Sequence, residues 1–536
     1  MSYTKKPEHK YRVNLFFHAH KLLLVLFVII VFGPLLVLFI ELFKSILAGK
    51  ADWVSLVFPV GRRFNLLFNS LVLSVSVSIS GMLLGILTSL FLWRFKTGIG
   101  KYLRWLILMF ICLPPYIHAL SWTYAFNYVR FIPSHGMLVC WWVELMAYLP
   151  LAVGLSLLGL DSVEPVLVDA GRMMHGDIST LRRVILPQAK PVILAGGSLL
   201  FLLSLADYSI PSLFSVNVYS LEVFAEYSAT NEPARALLLG VPLLVIAVIL
   251  ILFSYGKVNK VAIRLSRPDR KENALYHLPK WFIWLEKAAI GIVIMQMLVV
   301  VCNLLFSVGS FKNIALSTTS ASDEIYFSFT LASVTALLCL PLAAAAANQL
   351  SKSETINRFW WFFLILPLVT PGSLIGMAFL ILTTQYGFNF LYSSVWMPVL
   401  ANLAQFTPLA VIIIWANLKR TDPLLVDASK VLQRNVLKGE LFVRLPMMGA
   451  GFLSAACLVF ILSLRELSST IIVTPPGYTT LTARIYNYLH YGGSSEVAGL
   501  CLVLTVIFLT ISLLCIIIFT QGSLLFIRRR RKQCFQ

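Results

Sequence analysis

Residues 164–174 read EPVLVDAGRMM, and residues 422–432 read DPLLVDASKVL, the same phrase 258 positions later. Each copy opens on an acidic residue followed by proline, Glu164-Pro165 and Asp422-Pro423, which predicts a helix N-cap and a first-turn proline. Apolar residues fall at Val163, Val166, Leu167, Ala170, Met173 and Met174 in the first copy. In the second they fall at Leu424, Leu425, Ala428, Val431 and Leu432. Both sets follow the i, i+3, i+4, i+7 spacing of one helix face. After a turn, the basic stretches LRRVILP (181–187) and ELFVRLP (440–446) each end on a proline. The phrase predicts a short amphipathic surface helix, and its recurrence predicts a duplicated fold.

What surrounds the two copies is apolar. Of 536 residues 59% are hydrophobic and 12% charged, against about 25% charged in typical soluble domains. Such a chain cannot cover itself with a water-facing surface, so it belongs to the membrane class. Runs long enough to cross the hydrocarbon lie near 22–43, 68–93, 105–126, 136–158, 191–215 and 236–255. A second set lies near 284–308, 325–349, 359–383, 394–417, 448–472 and 496–520. The first run follows a basic head and has no small-residue cleavage pattern after it, so it reads as a retained span rather than a signal peptide.

Charge orients these runs. With the N-terminus inside, 33 of the 43 Lys and Arg residues fall in alternate loops on one face, as the positive-inside bias requires. The net charge of +20 therefore reads as topology rather than as a nucleic-acid surface. The expected fold is an all-α polytopic membrane protein of about 12 transmembrane helices, in two parallel pseudo-repeats of six, with both termini cytoplasmic. Its expected parts are a basic N-terminus (1–21), a first half (22–255, core 65–255, loop 161–190) and a basic linker (256–283). A second half (284–520, core 325–520, loop 419–447) and a basic tail (521–536) complete the chain. Ser70 matches Ser328, and LSLADYS (203–209) matches LSLRELS (462–468). Parallel halves of this kind pack around a pseudo-two-fold axis along the membrane normal, with a pathway between them.

Chemistry-bearing motifs are few. No GxxxxGK[ST], HExxH or GxSxG occurs, so the chain carries no phosphate-binding loop for ATP. The eight cysteines form no CxxC pair and read as small packed side chains, with no metal site or disulfide framework. His18 and His20 read as interfacial residues beside the first run, and the lone His118, His135 and His490 call for no other role. Asp207, Arg465 and Glu466 fall in matching regions of the fifth and eleventh runs. Charges at that depth are costly and face protein or water, so two readings stand, a place on a substrate path or an ion pair between Arg465 and Asp207. Glu144, in the fourth run, reads as a buried acid satisfied by packing.

The doubled loop resembles the Glu-Ala-Ala loop that marks the membrane subunits of binding-protein-dependent ABC importers. LADYSIPSLF (205–214) and SLRELSSTIIVTPPGYTTLTARIYNYLHYG (463–492) are similar to its iron(III) and thiamine branch, where fused double permeases are common. Asp169, Ala170 and Gly171 match the triplet, as do Asp427, Ala428 and Ser429. Both acids are Asp where the family has Glu. The family's motif glycine falls on His175, beside Gly176, and in the second copy on Gln433, leaving Asn435 to supply any left-handed turn. The family's loop closes on Leu-Pro, here at Pro187 and Pro446. The resemblance implies a transport subunit in a bacterial inner membrane, with no cofactor of its own. It implies a cytoplasmic ATPase homodimer that binds the ATP and docks on the two loops, and a periplasmic substrate-binding protein. The outer segments 215–234 and 473–496 are candidates for docking that protein or for lids. Asp207, Tyr208, Arg465 and Glu466 become candidate pathway residues, for ferric iron first, then thiamine, another small organic cation or an aminophosphonate. An ion-gradient-driven secondary transporter is the alternative, and it leaves the matched loops without a purpose.

Overall fold

The structure, a computed structural model, describes residues 7–47, 56–95, 98–128, 135–264, 278–351, 358–392, 394–420, 424, 448–491 and 495–533. Among the described residues every regular element is helical. The first half runs α1 (Pro7–Leu47), α2 (Arg62–Arg94), α3 (Ile99–Met109), α4 (Pro115–Tyr128), α5 (Met137–Asp161) and α6 (Pro165–His175). It continues with α7 (Asp177–Ala206), α8 (Ser209–Leu213), α9 (Tyr219–Thr230), α10 (Pro233–Leu239) and α11 (Val241–Arg264). The second half runs α12 (Lys280–Val308), α13 (Phe311–Ser320), α14 (Ser322–Ser351), α15 (Arg358–Val369) and α16 (Gly372–Gln385). It closes with α17 (Trp396–Arg420), α18 (Gly449–Arg465), α19 (Thr470–Val473), α20 (Leu481–Tyr491) and α21 (Ser495–Gln533).

Each of the twelve apolar runs falls on helix, but not always on one helix. Among the described residues eight helices are long and apolar enough to span, and three bent pairs raise the number to eleven. The remaining run is the shorter α18, 17 residues long. The third run of each half breaks at proline. Ile99–Cys112 meets Pro115–Asn127 at 102°, and Phe362–Val369 meets Gly372–Gln385 at 96°. The cause is local: Leu113 precedes a proline and takes an extended ψ of 133°, because a following ring disfavours the helical region. Both halves place this break at the same depth in the repeat, so it is a feature of the duplicated unit.

Matching helices build matching bundles. In the first half α2, α5 and α7 pack on one another, and in the second α14, α17 and α18 do the same. A side-chain carbon added at Gly85 would lie 2.8 Å from the Ala152 carbonyl carbon, so the absence of one lets the α2 and α5 backbones touch. Ser89 uses that proximity to donate to the Val153 carbonyl oxygen at 2.9 Å. Small residues are the usual means of close helix packing in lipid, where dispersion and interhelical hydrogen bonds replace the hydrophobic drive.

The leading helix of each half crosses to the other. α1 packs on α14, α16 and α17, while α12 packs on α2 and α4. The crossings are tied by polar groups. Tyr386, at the end of α16, donates to Glu41 at 2.9 Å and accepts from Lys44 at 2.6 Å. Gln296 on α12 accepts from the Trp122 indole at 2.6 Å and bonds the His118 ring through its amide nitrogen. Arg94 at the end of α2 pairs with the buried Glu286 of α12. Two interlocked halves, rather than two beads, are the result.

Candidate coupling loop and translocation cavity

The first repeated phrase forms α6, a helix of 11 residues with Glu164 at the N-cap position and Pro165 after it. The Glu164 side chain caps nothing; its backbone N–H donates to the Gln188 side chain at 3.3 Å. Gly176 ends the helix with φ of 72°, the left-handed region that glycine supplies at no steric cost. So the turn falls on Gly176 and His175 stays in the last helical turn. The chain then doubles back into α7, whose Leu181–Ile185 segment widens into a π turn. Pro187 explains that widening, since it has no N–H to return to the Arg183 carbonyl.

Gly171 sits where α6 meets the returning chain. A carbon there would come within 2.9 Å of Thr180 Cγ2 and 3.1 Å of Val184 Cγ2. Arg172 pairs with Asp177 at 2.9 Å across the turn. The buried residues of this joint are Val163, Val168, Leu181, Ile185 and Ala189, packed with Leu90 and Leu160 at the ends of α2 and α5. Of the apolar face read from the sequence only Val163 packs in this joint, and the rest points away. Val166, Leu167, Met173 and Met174 are 59, 47, 90 and 75% exposed, and Asp169 and Ala170 beside them are exposed too. The packed face is instead set by the small Gly171. The second phrase lies outside the described residues apart from Leu424, and with it Asp427, Ala428, Ser429, Gln433, Asn435 and Pro446.

The fifth and eleventh runs stop at the two matched acids. α7 ends at Asp207, whose ψ of 130° is extended, and α18 ends at Glu466 with the same ψ. Each acid then caps the next short helix. Asp207 Oδ1 accepts from the Ser209 N–H at 2.9 Å and from its hydroxyl at 2.6 Å. Glu466 Oε1 accepts from the Ser469 N–H at 2.9 Å and from its hydroxyl at 3.3 Å. The acids' own carbonyl oxygens accept from Ser220 at 2.9 Å and Thr482 at 3.1 Å. Ser70 and Ser328 complete the likeness, accepting from the Tyr219 and Leu481 N–H groups at 2.8 Å each. A buried break in a span needs such partners, because lipid offers none.

The two breaks open on one cavity of about 140 Å³ between the halves. Asp207, Arg465 and Glu466 line it, and so do Tyr116, Tyr148 and Gln405. No ion pair joins Arg465 to Asp207; Arg465 donates to the Ile111 carbonyl oxygen at 2.9 Å, at the break in the third run. Tyr208 points elsewhere, stacked on Phe224 at 5.3 Å and edge-on to Tyr486 at 6.0 Å. Burial pushes the Tyr486 phenol up, which keeps it a neutral partner for Ser212 at 3.2 Å. Glu144 is buried with the Ser204 hydroxyl beside its carboxyl. Its counterpart one repeat on is Asn402, which donates to Ser463 at 2.7 Å.

Tyr116, Tyr148, Gln405 and Gly372 were not legible as lining residues. The prolines at 114, 115 and 371 in otherwise apolar runs were the available signal, since a break inside a span needs a cavity or protein around it.

No protein-family model matches the chain. Among curated proteins it is similar to the Fe(3+)-transport system permease protein FbpB 2 of Haemophilus influenzae, with 23% identity over 491 residues, 87% of this chain and 92% of that one. The putative 2-aminoethylphosphonate transport system permease protein PhnV of Salmonella typhimurium is 26% identical over 193 residues, 35% of this chain and 71% of its own length. The putrescine transport system permease protein PotI of Escherichia coli is 25% identical over 191 residues, 33% of this chain and 67% of its own. All three are permease proteins of transport systems, and the similarity to the first runs across both halves of this chain. With its helical spans, its repeated halves and these relatives, the chain is a multi-pass protein of the inner membrane, similar over both halves to permease proteins of transport systems.

Proposed function

We propose that this permease forms the translocation pathway of a ferric-iron importer, powered by a separate ATPase dimer that docks on the loops 161–190 and 419–447. The observation that carries the docking is the exposed stripe Val166, Leu167, Met173 and Met174 on α6, beside the exposed carboxylate of Asp169. Apolar side chains on a loop helix need a covering surface, and methionine adapts its shape to a partner. Asp427 would serve the second ATPase subunit in the same way. ATP-driven closure of that dimer moves the loops, the halves switch from inward- to outward-facing, and cargo passes from the periplasmic binding protein. A ligand or partner shifts such an equilibrium only by its differential contacts with the two states, and the α6 stripe supplies such contacts.

Support for ferric iron is the length of the similarity to the iron permease, which spans both halves. The aminophosphonate and putrescine permeases match a single half's length, and they define the second reading of the cargo. The test is co-purification of the chain with its ATPase, comparing wild type with Asp169→Ala plus Asp427→Ala. Retention by wild type and loss of the ATPase or of stimulated ATP hydrolysis in the double variant is the expected result. A folded wild type that holds no ATPase would leave α6 a mere interfacial helix and bring ion-driven transport forward.

A further inference from the structure

The cavity holds a set of oxygen atoms that docking of the ATPase does not involve. Tyr116 lines it and is buried, and its hydroxyl has no hydrogen-bond partner. The Gln405 amide oxygen, from the other half, is likewise buried without a partner, and the Asp207 carboxylate beside them is within hydrogen-bonding reach of the Tyr148 phenol. Buried polar atoms in native proteins are nearly always paired, so orphaned oxygens around one cavity point to an occupant. Tyr148 adds a phenol that donates over 3.4 Å to the Leu203 carbonyl oxygen, a long and weak bond. Glu466 adds a second carboxylate, held in place through its other role as a cap.

All of these atoms are oxygens, and among the described residues no histidine or cysteine lines the cavity. Carboxylate, phenol and amide oxygens suit hard cations, whereas imidazole and thiolate select softer ones. Two carboxylates face one guanidinium, so the balance of charge favours a cation. Arg465 is fixed by the Ile111 carbonyl at 2.9 Å, and its charge weakens whatever cation the carboxylates receive. Among the described residues no group of three or more His, Cys, Asp and Glu side chains is placed to hold a metal ion. A pathway demands that, because a site that binds too well does not conduct.

We infer that this cavity is a transit site, in which Asp207, Glu466, Tyr116 and Tyr148 receive a bare ferric ion as oxygen donors and Arg465 keeps its residence short. The inference rests on the ferric-iron reading and deepens it. Full-length permease with its ATPase, in lipid nanodiscs, would be titrated with iron(III) nitrilotriacetate while the visible phenolate-to-iron(III) absorption is read. Wild type develops the band, and Tyr102→Phe, altered at an exposed tyrosine on α3 away from the cavity, matches it. Tyr116→Phe combined with Tyr148→Phe loses the band, and iron uptake into vesicles supplied with the binding protein falls about tenfold, while the ATPase stays bound. If the double variant sheds the ATPase through misfolding, the two single variants are read the same way, each expected to weaken the band. A wild type without the band, or a band and uptake that persist in the tyrosine variants, overturns the transit site. The cargo reading fails separately: wild-type vesicles that accumulate putrescine or 2-aminoethylphosphonate and no iron remove it. Iron uptake by wild type with no band removes the transit site alone.

Discussion

At Asp207 one side chain has two duties. Oδ1 caps the short helix after the break, while the carboxylate also lines the cavity beside Tyr148. Replacing the acid by Asn keeps the acceptor for the Ser209 N–H, whereas Ala removes it. Asp207→Ala is therefore expected to lose about 0.5–2 kcal/mol relative to Asp207→Asn, read as a lower thermal midpoint in detergent. Equal melting of the two would show that the turn holds without its cap. Gly171 makes a second residue-scale prediction. With 2.9 Å to Thr180 Cγ2 for any added carbon, Gly171→Val should push α6 off α7 at a local cost of about 1–3 kcal/mol. Faster proteolysis between 165 and 185 in inside-out vesicles, with cleavage elsewhere unchanged, is the expected sign.

Helices in this chain are joined by polar ties where apolar packing alone would leave them free to slide. Hydrocarbon tails solvate a leucine surface as well as another helix does, so specific bonds and close contacts have to decide the partners. Gln296 is the tie with most at stake, since its amide serves Trp122 and His118 together. Gln296→Leu leaves two buried groups without partners, at a cost of about 1–3 kcal/mol each, and a thermal midpoint well below wild type is expected. Combining it with Trp122→Phe should cost less than the two changes summed, because they break one shared bond. Full additivity in that cycle would mean the tie contributes nothing. The outer joints use the same device with reversed charges. Arg62 on α2 reaches Glu222 on α9 at 3.1 Å, whereas Glu324 on α14 accepts from Arg484 on α20 at 2.7 Å. The repeat has kept the joint and exchanged the signs.

For the molecule as a whole, the halves share a bundle, a broken third span and a capped break, and each lends its first helix to the other. That exchange interlocks the halves around the cavity that both breaks line. Orientation in the bilayer is the prediction at this scale. In a chain freed of its native cysteines, Met173→Cys on α6 should react with an impermeant maleimide only in inside-out vesicles, and Ser228→Cys on α9 only from the outside. Labelling of Met173→Cys from the outside would invert the topology read from the basic residues.

Membrane class, duplication and the address of the repeated phrase come from the sequence alone, because hydropathy, charge bias and a repeated phrase are one-dimensional properties. So does the pairing of Asp207 with Glu466, which needs only the repeat offset. Which face of α6 is packed was not legible, because the small residue Gly171 decides it through contact with a chain segment that returns later. The bends at Pro115 and Pro371 were hidden inside apolar runs that read as single spans. An ion pair between Arg465 and Asp207 fitted the charges, yet Arg465 goes to the Ile111 carbonyl that the third-run break exposes. The crossing of α1 and α12 leaves no local trace at all. Each of these depends on where a distant backbone group ends up, and in lipid, with no water to satisfy that group, the tertiary arrangement has the last word.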